Sequence, residues 1–233
     1  MSFEQAAFAD GFRHVAGVDE VGRGCLAGPV VAAALILPPG RRIRGVRDSK
    51  VLSYLERERL ARIIQRHALA VGIGICTVEE IDRVNILRAS LEAMQRALRM
   101  LTPAADYALV DGNQPLPGPP CPFKMIVDGD NLCHVIAASS IIAKVERDRI
   151  MVELHGRYPE YHFASNKGYG TPGHYDALEL IGPSPFHRRS FRLKRGHADQ
   201  IDLFSEARIE RTMVSTASPT DSLSTSTTRS ADS

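Results

Sequence analysis

Cysteine is scarce in this chain: Cys25, Cys76, Cys121 and Cys133 are scattered over 233 residues without a CxxC pair. A chain of this length can bury a core without disulfide staples, and the spacing of a zinc site is missing. Reduced, buried thiols are therefore expected. No apolar run approaches the roughly 20 residues that cross a bilayer. The N-terminal stretch MSFEQAAFADGFRHVAGVDE lacks the basic-then-apolar order of a signal peptide. No membrane association and a cytoplasmic location are the expectations. Eight histidines are dispersed with no HExxH, and His155, His162 and His174 are not at shared-ligand spacing, which argues against zinc. The formal net charge is only +2, with 44% hydrophobic and 24% charged residues. That is an ordinary globular composition and does not by itself demand a polyanionic partner.

Apolar runs alternate with helical patterns. Strands are expected at His14–Asp19, Val30–Leu37, Leu69–Cys76, Asp106–Val110 and Phe123–Val127. Ser53–His67 carries Leu and Ile at helical spacing, with Ser53 and Glu56 forming a capping box. Ile86–Leu101 is an amphipathic helix, and Leu132–Tyr158 has the longest helical pattern, with Ala137, Ala138, Ser139 and Ser140 permitting close packing. Shorter helices and loops follow to about Phe204. Strand–helix alternation with early adjacent strands implies an α/β fold with a mixed sheet. From about Ser215 the run STASPTDSLSTSTTRSADS is nearly free of apolar residues and is expected to be a disordered tail.

Three carboxylate segments sit where strands end: Val18-Asp19-Glu20, Val110-Asp111-Gly112-Asn113 and Val127-Asp128-Gly129-Asp130-Asn131. Loops at the rim of an open α/β sheet are where such folds build sites. A single acid there is routinely just solvated. Three on neighbouring strands would crowd anions that raise one another's pKa unless cations neutralise them. Hard oxygen ligands without His or Cys favour Mg²⁺ or Mn²⁺. Two such ions about 3.5–4 Å apart suit phosphodiester cleavage. Asp130 precedes the long helical pattern, so it or Asn131 serves either as an N-cap or, for Asp130, as a ligand favoured by the helix dipole. Asp19 and Glu20 are consecutive and would face opposite sides of a strand, so both reach one centre only if the strand ends or bends between them, near Gly22. Asp128-x-Asp130 hints at a calcium loop, but Cys133 and Ser139 stand where its glycine and glutamate belong.

Gly22-Arg23-Gly24-Cys25-Leu26-Ala27-Gly28-Pro29 follows the first acids. Gly22-x-Gly24-x-x-Ala27, with Asp48 downstream, fits a dinucleotide-binding fingerprint in form. However, Gly28-Pro29 leads into a strand rather than a helix, and two acids before the glycines would repel a pyrophosphate. Bare backbone beside metals has another use: it lets peptide groups reach a sugar, and a ribose 2′-OH is both donor and acceptor. An ordinary tight turn is the plain alternative.

GVDEVGRGCLAGPVVAAA, Asp48-Ser49-Lys50, Val110-Asp111-Gly112, the Gly129-Asp130 turn, Ala137 through Val145 with Arg147-Asp148, and Lys167-Gly168-Tyr169-Gly170-Thr171 occur in this order. Together, from about residue 14 to 190, they resemble bacterial ribonuclease HII of the type 2 ribonuclease H family. The resemblance implies an RNase H-like mixed sheet flanked by helices, with a helical C-terminal extension. It implies a catalytic domain over 1–155, the extension over 156–210, and a tail over 211–233 outside the family pattern. It implies an endonuclease acting on RNA–DNA hybrids and on duplex DNA carrying a single ribonucleotide, leaving a 3′-hydroxyl and a 5′-phosphate. Asp19, Glu20, Asp111 and Asp130 match the family's acidic metal-binding residues, for two Mn²⁺ or Mg²⁺ ions. Gly22, Arg23 and Gly24 match its turn that senses the 2′-OH, and Tyr169 its tyrosine that stacks on the neighbouring deoxynucleotide sugar. A monomer is expected.

Several basic residues have placements suited to phosphate. Lys50 lies in a polar loop, Lys144 and Arg147 lie at i and i+3 on one helix, and Lys167 is two residues before Tyr169. Arg188, Arg189, Arg192, Lys194 and Arg195 form the densest basic run, expected to attract a polyanion or to form a solvated face. The rival readings are a DNA-cutting nuclease of the same fold, a silent hybrid-binding module and a small-molecule phosphohydrolase.

Overall fold

A computed structural model describes residues 2–191 apart from Asp48, together with the backbone of two short paired strands, Lys194–Arg195 and Asp199–Gln200. The expected Ser/Thr-rich tail lies outside the described residues. Five strands form one mixed sheet: β1 (Val15–Val21), β2 (Val30–Ile36), β3 (Ala70–Cys76), β4 (Tyr107–Asp111) and β5 (Phe123–Ile126), in the order β3-β2-β1-β4-β5. The β1–β2 and β2–β3 pairs are antiparallel, whereas β1–β4 and β4–β5 are parallel. The α/β class and the mixed sheet read from the sequence are thus present.

Eight α-helices surround the sheet among the described residues. Two short ones, α1 (Phe3–Ala9) and α3 (Val78–Val84), escape the periodicity because each spans only seven residues. Local chemistry nevertheless starts them. Ser2 with Gln5 and Thr77 with Glu80 form capping boxes, as Ser53 and Glu56 do for α2 (Tyr54–His67). Asn85, at φ 71°, ends α3 and caps α4 (Ile86–Arg99) through its side chain.

The long helix expected over Leu132–Tyr158 is present as one continuous helix, His134–Arg157. A single turn, α5 (Gly129–Leu132), is separated from α6 (His134–Arg157) by extended Cys133. Neither Asp130 nor Asn131 is therefore the cap of the long helix: Cys133 holds that position without a side-chain cap bond. The Glu4 carboxylate of α1 accepts the Val135 N–H instead, at 3.1 Å. A cap supplied from 131 residues away cannot be seen in local sequence.

Two apolar layers sandwich the sheet. On one face Val15, Ala33 and Leu35 pack with Ile136, Ile141 and Ile142 of α6 and with Leu60 and Ile64 of α2. On the other, Ala16, Val18, Ala32 and Ala34 pack with Ala93, Ala97 and Leu98 of α4. The alternation follows the two-residue period of a strand. A third cluster joins Met151 and Leu154 at the end of α6 to Tyr161, Phe163 of α7 (Phe163–Asn166) and Leu178 of α8 (Pro172–Ile181). Leu26 and Ala27 of the glycine turn also belong to it, so the helical C-terminal part is packed directly on that turn.

Candidate metal centre and glycine turn

The sheet places three acids at one rim. Carboxylate oxygens of Asp19, Glu20 and Asp111 all lie within 4.8 Å of one another. The strand does not end between Asp19 and Glu20, contrary to expectation: β1 runs to Val21, paired with β2 throughout. What ends is the pairing on the other flank, where β1 leaves β4 after Val18 opposite Val110. Asp19 lies on the α6 face, against Ser140, and strand alternation puts Glu20 on the other, yet both carboxylates come close to Asp111 of β4.

Each acid is held by its surroundings. Asp19 is buried, receives the Glu20 N–H at 2.7 Å and is hydrogen-bonded by Ser140 of α6. Asp111 accepts the Gly129 N–H at 2.7 Å, which ties β4 to the start of α5. One oxygen of Glu20 meets Arg23 at 3.2 Å, while the buried Oε2 has no hydrogen-bond partner. Asp130 is buried, stands beside this group rather than within it, and pairs with the exposed Lys50 ammonium at 3.0 Å. Burial, then the charges of Glu20 and Asp111, push the Asp19 carboxyl well above the ordinary range. Burial also raises Glu20 against the opposing pull of Arg23. Asp111 is raised by burial, with Asp130 adding to it. A buried polar atom without a partner and three mutually repelling carboxylates are what a divalent cation would satisfy, so the donor set fits Mg²⁺ or Mn²⁺.

The glycine turn beside these acids is held from inside. Gly22 has φ +99°, and a Cβ there would run into the Arg147 side chain and the Pro29 carbonyl. Around Gly24 the space is open, so the backbone is approachable there. Arg147 is fully buried and donates to the carbonyls of Ala27, Pro29 and Lys167 at 2.8–3.1 Å. It therefore cannot serve as a phosphate contact. Arg188 is fully buried as well, which removes it from the basic run that was expected to present a charged face. The side chains of Arg192, Lys194 and Arg195 lie outside the described residues.

Of the other singled-out residues, Tyr169 is 43% exposed. Its loop is joined to the glycine turn by the Leu26 N–H donating to the Gly168 carbonyl at 2.8 Å. Lys144 pairs with the buried Asp148, and Lys167 donates to the Ala164 carbonyl. Arg57 also faces Asp148, at 3.7 Å, and donates to the Ser49 and Leu52 carbonyls, so it shapes the loop carrying Lys50. Tyr54, Arg57, Lys144, Asn166, Lys167 and Tyr169 line one open depression. Sequence reasoning missed Ser140, Asp148, Arg57 and the inward direction of Arg147 and Arg188. The one available signal was polar residues inside apolar helical patterns: Ser140 before Ile141-Ile142, and Arg147-Asp148 before Ile150-Met151.

The chain is similar to known proteins in sequence and in fold. The family model described as Ribonuclease HII matches residues 16–194. A ribonuclease HII of Cereibacter sphaeroides is 55% identical over 190 residues, covering 81% of this chain and 89% of that one. Another, of Syntrophotalea carbinolica, is 50% identical over 190 residues, covering 82% and 90%. The crystal structure of ribonuclease H2 from Pyrococcus horikoshii superposes with a TM-score of 0.64 at 26% identity, over 86% of this chain and 97% of that one. Sheet, helices and sequence thus lead to one conclusion: this chain belongs to the ribonuclease HII family, with the RNase H-like fold, and is a hydrolase of the ribonuclease H type.

Proposed function

We propose that the chain is an endonuclease that hydrolyses the RNA strand of RNA–DNA hybrids and incises duplex DNA on the 5′ side of a single embedded ribonucleotide. The observation that carries this reading is the convergence of three carboxylates beside a glycine turn whose backbone is open at Gly24. Asp19, Glu20, Asp111 and Asp130 would hold two Mg²⁺ or Mn²⁺ ions, Asp19 and Asp111 with Glu20 for one and Asp130 for the other. Such ions would supply activation of water and compensation of charge at the leaving 3′-oxygen. Asp19 and Asp111 orient the attacking water, and hydrolysis proceeds without a covalent enzyme intermediate to a 3′-hydroxyl and a 5′-phosphate.

Gly22, Arg23 and Gly24 bind the ribose through backbone groups that pair with both the donor and the acceptor of its 2′-OH. Tyr169 stacks on the deoxyribose beyond the junction. Lys50, Lys144 and Lys167 bind backbone phosphates, with Lys50 exchanging the Asp130 carboxylate for a phosphate as substrate and ions arrive. The enzyme acts as a cytoplasmic monomer in the removal of ribonucleotides from DNA.

The test is incubation with a labelled duplex carrying one ribonucleotide, with and without Mg²⁺, beside an all-DNA duplex. A Mg²⁺-dependent cut on the 5′ side of the ribonucleotide, with the DNA duplex left intact, is expected. Equal cutting of both duplexes, or binding without product, would overturn the reading.

A further inference from the structure

Two consecutive buried residues outside the carboxylate group, His187 and Arg188, reach the two elements to which the proposed function assigns sugar recognition. The segment carrying them is laid antiparallel against the glycine turn through an isolated bridge. Arg188 N–H donates to the Leu26 carbonyl at 2.9 Å, Gly28 N–H donates to the Phe186 carbonyl at 2.9 Å, and Ala27 bridges to His187. The Arg188 guanidinium then donates to the carbonyls of Gly22 at 2.7 Å, Arg23 at 2.9 Å and Gly28 at 2.9 and 3.0 Å, with a longer contact to Pro29. Among the described residues it has no carboxylate within ion-pair distance. Burying a guanidinium in this way is costly, and burial pushes its pKa down to about 10. What the cation achieves in return is geometric: its planar fork fixes the carbonyl directions of the turn from Gly22 to Pro29.

His187 reaches the other element through a second histidine. The His174 Nδ1 lies 2.8 Å from the Tyr169 carbonyl and can only donate to it. The His187 Nδ1 receives the Ser184 N–H at 2.9 Å and can only accept. The two Nε2 atoms are 2.9 Å apart, so the His187 Nε2–H donates to the bare His174 Nε2. Every ring nitrogen is satisfied in one arrangement alone, with both rings neutral and in opposite tautomers. The rings of Tyr161 and Phe163 enclose the pair. The chain Ser184–His187–His174–Tyr169 thereby sets the backbone of the exposed tyrosine.

We propose that His187 and Arg188 act together as a positioning strut that fixes the glycine turn and the Tyr169 loop relative to each other, and so determine the preference for a ribose–deoxyribose junction. This rests on the sugar-reading roles given above. Arg188→Lys keeps the charge and removes the fork; His187→Phe keeps a ring against Tyr161 and Phe163 and removes the donor. Each is expected to lower the ratio of kcat/KM on a single-ribonucleotide duplex to that on a uniform RNA–DNA hybrid by about tenfold to a hundredfold. The Mn²⁺-binding isotherm should be unchanged. His187→Phe should add little to Tyr169→Ala, since both act on one contact. Equal losses on both substrates, or fully additive losses with Tyr169→Ala, would mean that the pair is merely structural and would overturn the strut. Two readouts need no substrate: ¹⁵N spectra should show His174 as the Nδ1–H and His187 as the Nε2–H tautomer, and His187→Phe should speed amide exchange across residues 167–171 while sparing β1 and β2. Any other tautomer pair also overturns the strut. If Tyr169→Ala leaves the junction preference intact, the sugar reading of the loop fails, while spectra and exchange still judge the strut.

Discussion

At the level of single residues, Asp19 is under electrostatic strain, because it is buried and faces Glu20 and Asp111. Replacing it by Asn removes one of three repelling charges while keeping the shape. Asp19→Asn should therefore stabilise the ion-free protein, by about 1–2 kcal/mol, as active-site replacements often do. Paired urea unfolding curves with and without Mn²⁺ check this. Wild type should gain stability from the ion by mass action, and the variant should gain much less. Asp111→Asn should keep the fold, since an amide oxygen can still accept the Gly129 N–H. Its cleavage should fall about a thousandfold or more, the loss of several kcal/mol of transition-state stabilisation. Single-turnover assays decide, and retained turnover would refute the assignment. The strand-end position of Asp111 was legible because an apolar run followed by a carboxylate is a local pattern; that β1 runs on past Asp19 was not. The pairing of Lys50 with Asp130 was not, because it joins residues 80 apart.

Among the elements, β1 and α6 matter most, since they bring Asp19 against Ser140. Their approach is close: a Cβ on Gly17 would lie 2.5 Å from the Val135 carbonyl oxygen and 2.7 Å from the Ile136 nitrogen. The Ser139 hydroxyl donates to the Gly17 carbonyl at 2.8 Å across the same contact. Both atoms met by the added Cβ are backbone, so nothing can rotate away and the helix would have to move. Gly17→Ala should cost about 2–4 kcal/mol in denaturant unfolding and should weaken Mn²⁺ binding, since Ser140 would shift from Asp19. An unchanged unfolding midpoint would show that the helix does not rest on that strand as described. Periodicity located most of these elements, α6 to within two residues at its start, but not the single turn α5 before it. At the start of α6, Glu4 of α1 takes the Val135 N–H, a tertiary contact with no local signature.

For the whole molecule, the C-terminal part contributes a pH-dependent share of stability. Burial, then the neighbouring His174, pushes the His187 imidazole down to about 3 from 6.5. Burial lowers His174 as well. A histidine whose folded pKa is depressed takes up its proton in the unfolded chain first. Its contribution is full above pH 6.5 and is lost as pH falls toward about 3. The raised carboxyls of Asp19, Glu20 and Asp111 act in the opposite sense, since acidification relieves their repulsion. The net urea midpoint should fall between about pH 6.5 and pH 4. The same curve for His187→Phe should be flatter over that window, and parallel curves would count against a buried neutral pair.

Local rules in the chain determined the α/β class, the five strands, the capped α2 helix and the placing of Asp111 at a strand end, because hydrophobic period and turn chemistry act over a few residues. Tertiary structure alone decided which way the polar side chains turn. Arg147 and Arg188 read as surface charge in sequence, yet they point inward because the glycine turn offers unpaired carbonyls that only buried donors can satisfy. It also decided that Asp19 and Glu20 share a centre on an unbroken strand, because the loss of the β4 partner beyond Val18 opens an edge that no linear pattern marks.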